Sequence, residues 1–210
     1  MKKYFNIALI LVVVASLFVV TGCDKTKKEK KDDTVRISYE LGKGTFSVAV
    51  PKDKEGNAKY EFTKEKPEEI SNAATFYLVT DNTVFGFSTS GLSYNTAVKY
   101  KEKYGETKAT FDGYLEFVED KDLFDKSYLP GLEQFKINGR KALRYYNRVG
   151  GSGSYKYYGY FYMIGVDDIY PGSRAGVTVN YKTTDRPTEA QEFDKETLAI
   201  IKSLKIEANK

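Results

Sequence analysis

Between Leu132 and Ile164 the chain carries its densest set of groups suited to holding a ligand: Arg144, Tyr146, Arg148, Tyr158 and Tyr160, with Glu133 and Lys156 nearby. Tyrosine rings offer stacking area, and guanidinium offers forked donors and a cation for an aromatic face, so this mixture suits sugars, peptides or anionic groups. The chemistry available elsewhere is narrow. The 210 residues contain no histidine and one cysteine, Cys23. Without imidazole there is no Ser-His-Asp or Cys-His nucleophile and no H-E-x-x-H zinc site. A single cysteine makes no disulfide and supplies too few soft ligands for zinc, so neither a metal nor a cofactor is expected. Paired carboxylates of the glycosidase kind remain available among 29 acids, although residue order alone does not place two of them across a cleft. Asp120, Asp122 and Asp125 lack the glycine and terminal glutamate of a calcium loop and read as a solvated face. The stretch Gly150-Gly151-Ser152-Gly153-Ser154 lacks the Lys-Ser/Thr ending of a phosphate loop and reads as a hairpin tip.

Cys23 closes an apolar run from about Tyr4 to Val20, which follows Lys2 and Lys3. A positive start, an apolar core of roughly 17 residues and small residues at its end are the layout of a secretory signal; a spanning helix needs roughly 20. The tetrapeptide Val20-Thr21-Gly22-Cys23 resembles the bacterial lipobox. That resemblance implies a signal peptide over residues 1–22, a Cys23 thiol joined to diacylglycerol, and cleavage that leaves Cys23 as the first residue. Two acyl chains anchor firmly, because each buried methylene contributes about 0.8 kcal/mol. The expected location is therefore the extracytoplasmic face of a cell membrane, attached without spanning, and the lysine-rich, cysteine-poor chain points to a Gram-positive surface.

The next stretch, Asp24 to Thr34, has no apolar residue and high charge of both signs, so it cannot bury surface. As a disordered coil it would reach roughly 20 Å. Residues 23–35 thus read as lipidated cysteine and tether, and residues 36–210 as a single globular domain. Of the formal net charge of +4, Lys2 and Lys3 supply two and the tether one, leaving about +1 for the rest. That is no nucleic-acid footprint, and no nucleic-acid partner is expected.

Period-two patterns dominate from Val35 onward. Phe46, Val48 and Val50 run to Pro51 as a strand, with Tyr60 and Phe62 expected as its partner. Residues 75–80 and 84–88 flank the turn Asp81-Asn82-Thr83 as a hairpin. Ser93 is a cap for a helix from about Tyr94 to Tyr104, and the segment Asp112 to Leu129 suggests a short acidic helix. Leu132 to Ile137 and Arg140 to Val149 form a hairpin around Asn138-Gly139, the dipeptide that supplies the positive φ of a two-residue turn. A third strand covers Tyr155 to Val166 and a further one Ala175 to Lys182. Asp194 caps a helix that places Phe193, Ile200, Ile201 and Leu204 on one face, before a closing strand at Leu204 to Glu207.

Registering the three strands by turn length sets Tyr146 opposite Tyr158, Arg144 opposite Tyr160 and Ala142 opposite Tyr162, with Glu133 beside Arg144 and Phe135 beside Ala142. One side then collects Arg144, Tyr146, Arg148, Lys156, Tyr158 and Tyr160, running toward Phe135, Tyr162 and Ile164. The opposite side, with Leu143, Tyr145 over Gly159, Phe161 and Met163, is the expected core side. Two readings of the first side stay open: an exposed ligand platform, or a face covered by a helix with Glu133 neutralising Arg144.

The run Leu132 to Tyr145, the early Phe46 to Pro51 and the late Phe193 with Ile200 to Lys205 resemble the PsbP-like group of bacterial lipoproteins. The resemblance implies an α+β domain, a central mainly antiparallel sheet covered by helices in an α/β/α sandwich, used by accessory proteins without catalysis of their own. No functional residue is carried over by it. The combined expectation is a membrane-anchored, non-catalytic binding or accessory module whose partner is an envelope protein or glycan. The alternative is a cell-envelope hydrolase using paired carboxylates, which would require a close acid pair in a cleft with one pKa raised. A transporter-associated solute-binding protein is disfavoured, because such proteins need two lobes and a longer chain.

Overall fold

Among the described residues, alternating apolar and polar side chains produce ten strands, and their pairing sorts them into two antiparallel sheets. The computed structural model describes residues 33–68, 70, 73–92, 101–103, 110–149, 156–183 and 194–209, without the side chains at 147–149, 156–158 and 182–183. Strands β1 (Thr34–Leu41), β2 (Gly44–Pro51) and β10 (Lys205–Ala208) form a sheet in the order β1-β2-β10. Seven further strands form the second sheet: β3 (Phe62–Thr63), β4 (Phe76–Val79), β5 (Thr83–Gly91), β6 (Glu133–Ile137), β7 (Arg140–Val149), β8 (Lys156–Gly165) and β9 (Ser173–Thr183). Their order is β3-β4-β5-β9-β8-β7-β6. Helices are short: α1 (Phe111–Glu119) and α2 (Lys195–Ser203) have nine residues each, and a 3-10 turn covers Lys126–Tyr128.

This corrects the expected α+β architecture. The main core is closed by a second sheet, where the α/β/α sandwich would put helices. Phe46, Val48 and Val50 of β2 and Ile206 of β10 join Phe76, Leu78, Phe85, Phe87, Val177 and Val179 of the larger sheet in one buried cluster. Phe76 organises it, stacked on Tyr39 at 4.0 Å and on Phe87 at 5.0 Å and meeting Phe46 edge-on at 5.5 Å. Each fully buried ring contributes about 1.5–3 kcal/mol, so the phenylalanine row of the larger sheet, facing Tyr39, Phe46, Val48 and Val50 of the smaller one, supplies much of what holds the sheets together. The protein is a mostly β structure of two antiparallel sheets with helices at its margins.

Strand β2 also takes partners other than the expected one. It pairs with β1 and β10, while Phe62 joins β4 and Tyr60 is buried in the loop before it. The expected helix from Tyr94 to Tyr104 lies mostly outside the described residues, of which 101–103 are helical. The hairpin across residues 81–83 and the Asn138-Gly139 turn are present, the latter with φ of 45° and 83°.

The α2 cap at Asp194 is the expected one, whereas the Thr110 cap of α1 was not foreseen. Thr110 accepts from the Gly113 amide at 3.2 Å and Asp194 from the Thr197 amide at 2.8 Å. Helix α1 sets Phe111, Tyr114, Phe117 and Val118 against Leu143 and Met163 on one face of the β7-β8 pair. Helix α2 adds Ile200 and Ile201 to the main core on the other face. Both faces of β7 and β8 are therefore covered near their β6 end.

Candidate binding face on the β6-β7-β8 hairpins

The register of β7 against β8 is offset by two residues from the expected one. Tyr146 faces Tyr160, Arg144 faces Tyr162 and Ala142 faces Ile164, whereas β6 against β7 follows expectation with Glu133 opposite Arg144 and Phe135 opposite Ala142. A slip of two leaves every side chain on its predicted face, because strand side chains repeat with period two. It changes the neighbours. Tyr145 lies beside Phe161 at 5.5 Å between ring centres, and Gly159 is opposite Asn147.

The choice of core side is also corrected. Leu143 and Met163 pack under α1 in a smaller cluster, while Ala142, Tyr162 and Ile164 belong to the main core. Both sides of these strands are apolar toward the Asn138-Gly139 end, so alternation alone could not say which side meets the second sheet.

The outcome is a face in two parts. Its inner part is covered: Tyr162 is 2% exposed and meets Phe135 edge-on at 5.8 Å. A cleft of about 250 Å³ runs between β6 and α2, lined among others by Phe135, Tyr162, Leu198, Ile201 and Lys202 and ending at Glu133 and Arg144. Its outer part is half-buried and aromatic. Tyr146 and Tyr160 meet edge-on at 6.0 Å, and Tyr160 and Tyr162 at 6.3 Å. Arg144 lies over Tyr160, 4.8 Å from the ring centre, and its Nε and Nη2 reach the same Glu133 carboxylate oxygen at 2.8 and 2.7 Å. Burial pushes the Tyr162 hydroxyl above its ordinary pKa, and the neighbouring Arg144 acts against that rise. The hydroxyl thus stays protonated at neutral pH at the inner end of the row.

Of the predicted ligand residues, the structure brings Arg144, Tyr146 and Tyr160 together. The backbones of Arg148 and Tyr158 face each other two pairs further along, with side chains outside the described set, and Cys23 lies outside the described residues altogether. Sequence reasoning did not set Tyr162 opposite Arg144, and it left open a helix over this face without naming α2 as that helix. The apolar spacing Leu198, Ile201 was the available signal.

The described carboxylates with displaced pKa values are all held low. Asp81 is lowered by its hydrogen bond from Lys59, Glu119 by Lys126, Asp125 by the Ser127 amide and Asp168 by Arg140. A second cleft, about 560 Å³ beside α1, gathers Asp112, Glu116 and Glu119 with Lys136 and Lys141. Asp112 is paired with Lys141 at 2.8 Å and Glu119 with Lys126 at 2.8 Å. Asp120 and Asp122 are bridged by Lys103, and Asp125 accepts from the Ser127 amide. Among the described residues no group of three acids or other ligands is placed to hold a metal, and no helix is long and apolar enough to cross a membrane.

Compared with known proteins, the chain matches no family model and no curated relative.

Proposed function

We propose that the protein is a lipoprotein held on the outer face of a cell membrane through Cys23, and that its β domain acts there as a non-catalytic binding module. The observation that carries the reading is the Val-Thr-Gly-Cys ending of the apolar leader, followed by charged residues up to Thr34, where the first strand begins. Anchor, spacer and domain then follow one another in the order a surface module requires.

The composition of one face supports the binding reading. The Arg144, Tyr146 and Tyr160 face supplies stacking area and one guanidinium, which suits a sugar ring or peptide bearing an acidic group. Such a ligand competes with Glu133 for Arg144.

Two measurements test this. Cys23→Ser should abolish incorporation of labelled fatty acid and move the protein from the membrane fraction to the medium; retention on the membrane would refute the anchor. In a titration with acidic cell-wall oligosaccharides, Glu133→Ala should tighten binding while Arg144→Ala and Tyr160→Ala abolish it. Binding indifferent to all three would refute the face.

A further inference from the structure

Among the described residues strand β1 is the longest strand at a sheet edge. Of the four sheet-edge strands, β3 has two residues, β10 four and β6 five, against eight in β1. The short β10 edge is occupied by side chains: Arg140 Nε donates to the Ile206 carbonyl at 2.9 Å, and the Asn138 amide donates to the Leu204 carbonyl just before it at 2.6 Å. No described residue adds a strand to β1 on the side away from β2. A long open edge is a template for another strand.

The sequence of that edge, Thr34-Val-Arg-Ile-Ser-Tyr-Glu-Leu41, is complementary to itself. Thr34, Arg36, Ser38 and Glu40 are exposed, and Val35, Ile37, Tyr39 and Leu41 are half-buried against the core. An antiparallel copy centred on Ser38 sets Arg36 against Glu40, Ile37 against Tyr39 and Val35 against Leu41. Every apolar residue then meets an apolar residue on the core side, and each charge meets its opposite on the outer side, twice over by symmetry. Glu40 has no ion pair among the described residues, and Arg36 uses only one of its terminal nitrogens, toward Ser47 and the Ser203 carbonyl. A foreign strand would need this same pattern of acid, base and apolar residues; a second copy carries it already.

We infer that two copies of this protein associate through antiparallel pairing of their β1 edges about a two-fold axis at Ser38, joining the two three-stranded sheets into one of six strands. The axis sets the two Thr34 residues eight positions apart along the paired edges, about 27 Å.

The test uses the full chain. At the axis the two Ser38 Cα atoms would lie about 4.5–5.5 Å apart, within the span of a disulfide. Ser38→Cys should yield a disulfide-linked dimer as the main species on mild oxidation, whereas the parent chain with Cys23 alone and a Lys54→Cys control at another exposed position should not. In the Ser38→Cys background, Glu40→Arg should lower the cross-linked fraction roughly tenfold, corresponding to about 1.4 kcal/mol, as should Arg36→Glu. Combining the two should restore it, because the opposed charges are then exchanged but still matched. Circular dichroism unchanged across the series shows that the fold is intact. A Ser38→Cys chain that stays monomeric, or cross-linking indifferent to the charge reversals, overturns the proposal. Because cross-linking is read whether or not Cys23 is acylated, failure of the membrane anchor would leave this result unaffected.

Discussion

Arg144 spans two partners at once: its guanidinium lies 4.8 Å from the centre of the Tyr160 ring, and the same group holds Glu133 at 2.7 Å. The Arg144 side chain is 31% exposed and that of Glu133 54%, so water screens the ion pair more than it screens the ring contact. Glu133→Ala should therefore cost no more than about 0.5 kcal/mol in urea unfolding, and Arg144→Ala about 1 kcal/mol, through loss of the stacked guanidinium and its apolar stem. A double-mutant cycle in which the pair accounts for most of the Arg144 effect would contradict this ranking. Both costs are small against the stability of a domain, which keeps these substitutions usable as tests of ligand binding.

Thr83 and Thr197, residues each 1% exposed, share a hydrogen bond of 2.8 Å between their hydroxyls, tying the start of β5 to the first turn of α2. Thr197→Val leaves the Thr83 hydroxyl buried without that partner and should cost about 1–3 kcal/mol. The Thr83→Val/Thr197→Val double variant removes both polar groups and should cost less than the sum of the singles. Chemical denaturation of the three variants reads the difference, and strict additivity would mean that the two hydroxyls are not coupled.

Much of this fold was legible where the signal is local. The Asn138-Gly139 turn, the Thr80 to Thr83 hairpin and the Asp194 cap follow from the backbone preferences of a few neighbouring residues. The composition of the Arg144 face was legible for a related reason: a register error of two preserves the face, so Arg144, Tyr146 and Tyr160 stay together despite the slip. Long-range choices were not legible. The alternation from Val35 was visible, but nothing in it marked β1 as the partner of β2 in place of the Tyr60 and Phe62 segment. Which side of β7 meets the larger core depends on β2 and β10, which lie far away in sequence and whose apolar residues carry no mark of their partner. The expected layer of helices failed for the same reason. An apolar sheet face asks to be covered, and nothing in its own pattern says whether a helix or another sheet will cover it.

Acid should weaken the link between the β7 start and the loop after β8. Hydrogen bonds from Arg140 at 2.6 and 2.9 Å hold the Asp168 carboxyl below its ordinary pKa. A carboxyl whose folded pKa is lowered stabilises the fold above its unfolded value, about 3.9, and the contribution disappears as pH falls through the folded value. Asp168→Asn should therefore be less stable than the parent at pH 7, and the gap should close as pH falls below about 4. Urea midpoints measured across that range check the sign; a gap that widens in acid would contradict it.

Asn138 does two jobs that substitution can separate. With φ of 45° it occupies the left-handed region of the hairpin turn, and its side-chain amide donates to the Lys202 carbonyl at 3.0 Å and the Leu204 carbonyl at 2.6 Å. Those carbonyls lie at the C-terminal end of α2, where helical partners run out. Glycine at 138 keeps the turn and removes the amide, so Asn138→Gly should cost about 1 kcal/mol, the loss of side-chain hydrogen bonds alone. Alanine removes the amide and also resists positive φ, so Asn138→Ala should cost about 1–2 kcal/mol more. Equal losses in the two variants would place the whole effect in the α2 contact, and a glycine variant as stable as the parent would place it in the turn. The predicted order, parent above glycine above alanine in thermal unfolding, requires that the Asn138 amide add to the apolar packing that holds the hairpin edge of the larger sheet against α2.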